Sequence, residues 1–164
     1  MTGRIIEVEA YLGQSDPASH AYGRRTPYNA VLYGPPGRTD VYLSYGVHYC
    51  VNFSCLPEGQ PGGVLIRALE PVTGIATMAK LRGLPETSSG RRLTGGPGRV
   101  CQALGITREA DHNIDVTRMS ASIHVLDDGF RPKEVLATPR IGITKAADLP
   151  LRFVVVDATP EIKR

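Results

Sequence analysis

The sequence has no tryptophan, an odd number of cysteines and no long apolar run. Cys50, Cys55 and Cys101 are the only thiols, and an odd count argues against a secreted disulfide framework. A membrane-spanning helix needs about 20 consecutive apolar residues, and no such stretch is present. No charged-then-apolar leader opens the chain either. The expected setting is the cytoplasm, associated with the nucleoid in a bacterium, or the nucleus in a eukaryote. Neither sign of charge dominates: the net charge of +3 suits a nucleic-acid partner without demanding one. His48, Cys50 and Cys55 lie close together, but their spacing matches no zinc pattern, and small thiols are common in buried strands. Neither a metal nor a cofactor is expected.

What is present suffices for a core. The chain has 164 residues and 41% hydrophobic content, which suits a single domain spanning 1–164. The opening stretch "GRIIEVEAYLG" alternates as a strand near residues 4–12. Ile6, Val8, Ala10 and Leu12 fall on one side, and Glu7, Glu9 and Tyr11 on the other. Residues 13–38 form a long loop rich in Gly, Pro, Ser and Arg, with a short helix capped by Thr26 and entered through Pro27. Loops of that length in compact domains are usually functional or disordered.

"TDVYLSYGVHYCVNFSC", residues 39–55, reads as a β-hairpin turning near Tyr45-Gly46. "GVLIRALEP" adds a strand ending at Pro71, where a helix begins with Val72, Ile75, Met78 and Ala79 as its apolar positions and Gly83 as its stop. Residues 84–97 read as a loop and "GRVCQALGI" as a short helix ended by Gly105. Further strands are expected near 121–126, 134–143 and 151–156. The expected fold is α+β: one mixed domain with a curved, largely antiparallel sheet, a protruding β-hairpin and few helices.

Several side chains invite chemistry, each with a plainer alternative. Glu9 shares a strand face with Tyr11, and a long polar loop follows; a carboxylate so placed can orient and deprotonate a water, though an exposed one is usually just solvated. Arg67 sits inside an apolar strand. If it is buried it needs an anion, for which Glu9 is the natural candidate; otherwise it snorkels to water. His20, alone in a loop, reads as a surface residue by itself. Tyr42, Tyr45, His48 and Asn52 are spread over the hairpin, where a tyrosine at the tip is either a cross-strand packing partner or a wedge for a DNA groove. All seven tyrosines lie between Tyr11 and Tyr49, a concentration that strand propensity alone could produce. Arg24, Arg25, Arg38, Arg91, Arg92 and Arg99 are available for phosphate contact, although solvation is the commoner fate.

Taken in order, "GRIIEVEAYLG", "SHAYGRRTP", "VYLSYGVHYCVN", "VLIRALEP", "GPGRVCQALGI" and "LPLRF" closely resemble the alkyladenine DNA glycosylases, the single-domain 3-methyladenine glycosylases of the mammalian methylpurine type. The resemblance runs from Gly3 to about Phe153. It implies excision of damaged purines (3-methyladenine, 7-methylguanine, etheno-adenine, hypoxanthine) from duplex DNA by hydrolysis of the N-glycosidic bond. It makes Glu9 similar to the glutamate that activates water, and Arg67 to its partner. Tyr11 resembles the aromatic on one face of the flipped base, and His20 and Tyr42 those on the other. Tyr45 resembles the residue that fills the gap in the helix, and Asn52 the one that rejects the guanine amino group. Arg25, Thr26 and Arg99 are expected at the DNA backbone.

No lysine appears in these motifs, so a monofunctional enzyme is expected, since a strand-nicking Schiff-base step needs an amine; a monomer is expected as well. Three departures stand out. Family members carry a segment before the first strand, so a truncated N-terminus is expected. Tyr28 stands where a basic residue is common. The tail "VVVDATPEIKR" lacks the expected ending and carries no transferred role. Two other readings stay open: a DNA-binding module of the same fold without turnover, and a nucleoside hydrolase acting on free small molecules.

Overall fold

A computed structural model describes residues 1–156; the end of the tail lies outside the described residues. Six strands form one open antiparallel sheet: β1 (Thr2–Tyr11), β2 (Thr39–Ser44), β3 (His48–Ser54), β4 (Gly63–Thr73), β5 (Val135–Thr138) and β6 (Arg152–Val155), in the order β2-β3-β4-β1-β6-β5. Four helices are present among the described residues: α1 (Ile75–Leu81), α2 (Arg91–Thr94), α3 (Pro97–Leu104) and α4 (Arg108–Asp111). The protein is an α+β fold, as the strand-rich pattern predicts.

The register explains how one face becomes polar. Asp40 pairs with Asn52, Asn52 with Leu65, Leu65 with Glu9, Glu9 with Arg152, and Arg152 with Thr138. Directly opposed residues share a face, so this row crosses all six strands on one side. The intervening residues Val41, Val51 and Ile66 join Leu69, Val100, Cys101 and Ile106 in the main core, with α3 packed on β3 and β4. A register shift in β1 between Ile5 and Val8 interrupts the simple alternation there, and Ile6 and Glu7 are both buried. Leu12, expected on the apolar side, lies beyond the strand and is exposed.

Several expected elements differ. β4 does not stop at Pro71 but continues to Thr73, and α1 starts only after Gly74, at φ 75°. β3 pairs with β4 only from Asn52 to Ser54. At Pro71 the strand therefore has a strand neighbour on one side only, a setting that tolerates proline. Val72 consequently lies outside α1 and is exposed, whereas Met78 and Ala79 are buried as expected. No α-helix follows Thr26. Its backbone N–H donates to Asn29 Oδ1 at 2.7 Å, making a local turn before a single 3-10 turn at Ala30–Tyr33. Residues 121–126 form no strand, and the 134–143 strand shortens to β5. The loop 84–97 contains α2, and α4, capped by the Thr107 hydroxyl accepting from Ala110 N–H, was not anticipated. The hairpin and α3 match expectation, and Gly105 ends α3 at φ 71°.

Candidate functional site

Asn52 and Leu65 of this row line a cavity of about 420 Å³, while Glu9 lies behind its wall. Tyr11, His20, Tyr42, Tyr45, Asn52 and Arg67 all line it, although they come from four strands and turns and a loop. His20 and Tyr42 meet edge to face, with centroids 4.4 Å apart and planes at 86°, the geometry that ring quadrupoles favour. Although His20 is exposed, loss of solvation at its ring outweighs the nearby Asp40 and lowers its pKa. Burial likewise raises Tyr11, helped by the neighbouring Glu9, and raises Tyr42, helped by Cys50. Both phenols stay protonated and can donate.

Glu9 is fully buried but not in apolar surroundings. Its Oε1 accepts from Ile141 N–H at 2.8 Å and faces Arg67 Nη1 at 3.2 Å, and its Oε2 accepts from the Tyr11 hydroxyl at 2.9 Å. A carboxylate offers about four lone-pair sites. Two accept hydrogen bonds and Oε1 also faces the Arg67 guanidinium, which leaves a site on Oε2 without a hydrogen bond. The two side chains that grip it, Tyr11 and Arg67, are the ones that face the cavity. The expected Arg67–Glu9 pair is present, and Arg67 is largely enclosed rather than snorkelling to open water.

Sequence reasoning missed the groups around this pair. Glu7 is buried and receives three guanidiniums: Arg67 Nε at 3.1 Å and Arg152 Nη1 at 2.9 Å on Oε1, and Arg91 Nη2 on Oε2. Burial alone would raise its pKa, but hydrogen bonds from Arg152, Arg67 and Arg91 outweigh it and hold the carboxyl below the ordinary range. A second ion pair, Arg140 with Asp16, is bidentate at 2.5 and 3.0 Å. The Arg140 guanidinium also lies 4.7 Å from the Tyr11 ring centroid. Of these arginines only Arg67 is recognisable in the sequence as needing an anion; Arg91, expected to be available for phosphate, instead pairs with Glu7, and nothing in the local sequence marks Arg140 or Arg152.

At the hairpin tip Tyr45 and Gly46 both adopt positive φ, 49° and 70°, which closes a tight turn matched to strand twist. The Tyr45 side chain is thereby thrust outward. The residue is 88% exposed, and its hydroxyl donates to Gly142 C=O at 2.9 Å across the mouth of the cavity. Asn52 is buried and donates Nδ2 to Asp40 Oδ2 at 3.1 Å, so its amide is anchored. Arg25, Thr26 and Arg99 do not line the cavity. Arg25 and Arg99 are exposed, Arg25 over the Tyr33 ring and Arg99 bonded to Gly95 C=O, while Thr26 is held in its turn with Asn29.

Comparison with known proteins bears on this geometry. A family model described as methylpurine-DNA glycosylase (MPG) matches residues 1–159. A protein from Koribacter versatilis is 52% identical over 155 residues, 94% of this chain and 74% of its own. One from Rhodopseudomonas palustris is 52% identical over 156 residues, 95% of this chain and 72% of its own. One from Nitrosospira multiformis is 49% identical over 152 residues, 92% and 74%. All three are named provisionally as 3-methyladenine DNA glycosylases.

Proposed function

Because the chain belongs to the methylpurine-DNA glycosylase family, we propose that it is a monofunctional enzyme that flips an alkylated or deaminated purine out of duplex DNA and hydrolyses its N-glycosidic bond. The observation that carries this reading is a buried carboxylate, gripped by a guanidinium and a phenol, beside a cavity walled by aromatic rings. A purine inside a duplex cannot be attacked, so the nucleotide must leave the stack. Tyr11 stacks on one face of the extruded base, with His20 and Tyr42 against the other. An electron-rich ring also favours a cationic alkylated purine. Glu9 accepts a proton from the attacking water at its remaining Oε2 site, and Arg67 holds the carboxylate in place. Methylation has already made the base a better leaving group, so one carboxylate suffices. Among the described residues no lysine lines the cavity, which supports hydrolysis without strand nicking. Asn52, anchored by Asp40, acts as a wall against the guanine amino group. Arg25, Thr26 and Arg99 contact the phosphate backbone.

The test is free-base release from duplexes carrying 3-methyladenine, 7-methylguanine, etheno-adenine or hypoxanthine, alongside the same lesions in single strands and as nucleosides. Release confined to, or much faster from, duplexes is expected. Tight lesion binding without release would indicate a non-catalytic DNA-binding module. Equal hydrolysis of free nucleosides would indicate a nucleoside hydrolase.

Tyr45 fills the gap left by the flipped nucleotide. Tyr45→Ala is expected to lower the flipped population by about one to two orders of magnitude, the scale of a lost base–aromatic stack of roughly 1–3 kcal/mol. Affinity for the free base is expected to be unaltered. Tyr45→Phe loses only the Gly142 contact and is expected to flip as well as the parent. Fluorescence of 2-aminopurine beside the lesion reads the flipped state, and equal loss of flipping and free-base affinity in Tyr45→Ala would refute the wedge.

A further inference from the structure

We infer that Glu7 is a positioning residue that holds Arg67 in the one orientation from which its guanidinium meets Glu9. The inference rests on the glycosylase reading above and extends it to a residue that does not line the cavity. β1 places Glu7 and Glu9 on one strand, and both of its neighbours deliver an arginine: Arg67 from β4 and Arg152 from β6. The Arg67 side chain is only 11% exposed and spans the two carboxylates, with Nε on Glu7 Oε1 at 3.1 Å and Nη1 toward Glu9 Oε1 at 3.2 Å. A guanidinium is a rigid planar fork. Fixing Nε on one acceptor therefore fixes where Nη1 points.

The charge arithmetic points the same way. Around Glu7 and Glu9 stand three guanidiniums, those of Arg67, Arg91 and Arg152. Removing the Glu7 charge leaves Arg91 and Arg152 without their carboxylate, and Arg67 with Glu9 alone. Arg91, with its side chain 36% exposed, can turn toward water, whereas Arg67 is too enclosed to do so. Arg152, also enclosed, is still held by Pro139 C=O, so the displacement falls on Arg67, and through it on Glu9.

The test is a double-mutant cycle, which separates coupled from independent sites. Single-turnover base release and duplex half-saturation are measured for the parent, Glu7→Gln, Arg67→Met and the double variant. Glu7→Gln is expected to slow release roughly tenfold, the scale of one lost charge-assisted hydrogen bond, with half-saturation unaltered. In the Arg67→Met background the same change is expected to have no further effect. Glu7→Asp, which keeps the charge on a shorter stem, is expected to recover part of the rate. Glu7→Gln combined with Arg91→Gln relieves the unpaired guanidinium and guards against simple misfolding; it should be as slow as Glu7→Gln alone. Release at the parental rate in Glu7→Gln, or rate losses that multiply in the Glu7/Arg67 double variant, would overturn the inference. A parent protein that releases no base from any duplex would instead remove the reading it builds on.

Discussion

Glu9→Gln is expected to slow base release by about two to four orders of magnitude, the usual contribution of a positioned general base, while binding of a lesion-bearing duplex stays near the parental level. The geometry makes this substitution unusually clean. The glutamine carbonyl can take the place of Oε1 and keep the bonds from Ile141 N–H and Arg67. Its NH2 then faces the Tyr11 hydroxyl, which can turn from donor to acceptor because a phenol serves as either. Shape and hydrogen bonding persist, and only the ability to take a proton from water is lost. Single-turnover release and duplex binding by anisotropy measure the two quantities separately. Parental release from Glu9→Gln would end the assignment, and a matching loss of binding would mean that the carboxylate holds the fold rather than the water.

The second large effect concerns stability. Asp16→Asn is expected to destabilise the protein by about 3–5 kcal/mol, the usual result of stranding one member of a buried ion pair. The Asp16 and Arg140 side chains are 1% and 0% exposed, so water cannot replace the lost partner. Burial acts to raise the Asp16 pKa, but hydrogen bonds from Arg140 and from the Leu12 and Ala18 N–H groups prevail and hold it low. A carboxyl depressed in the folded state stabilises above its unfolded pKa, roughly 3.9. That contribution disappears as pH falls through the folded value. The gap between parent and variant in urea unfolding should therefore be full at neutral pH and shrink below about pH 4. A constant gap across that range would show that the ion pair is not its source. The consequence reaches the site, because Arg140 leads into the segment whose Ile141 N–H meets Glu9 and whose Gly142 C=O meets Tyr45.

The parts of the molecule that could be anticipated were mostly local ones, with one long-range ion pair beside them. The hairpin follows from alternation interrupted at Tyr45-Gly46, and α3 from an apolar stripe closed by Gly105. The Arg67–Glu9 pair followed from a simple rule, that a cation inside an apolar strand needs an anion. Pro71 misled because proline's effect depends on neighbours. It ends a helix-free strand only where both sides must pair, and here one side is without a strand. Arg91, Arg140 and Arg152 could not be assigned, since they meet Glu7 or Asp16 across separations of 84, 124 and 145 residues. Nothing in their immediate surroundings distinguishes them from solvated surface arginines.

The order of residue types along the chain was therefore enough to identify the family, the strand-rich architecture and the set of side chains that gather at the cavity. Only tertiary structure decided that Glu9 is buried between Tyr11, Arg67 and the Ile141 N–H, and that Glu7 and Asp16 are each held by arginines from distant strands and loops. The reason is that strand pattern dictates which face a side chain takes, while charge pairing in a buried site depends on which remote segments the sheet brings within about 3–4 Å.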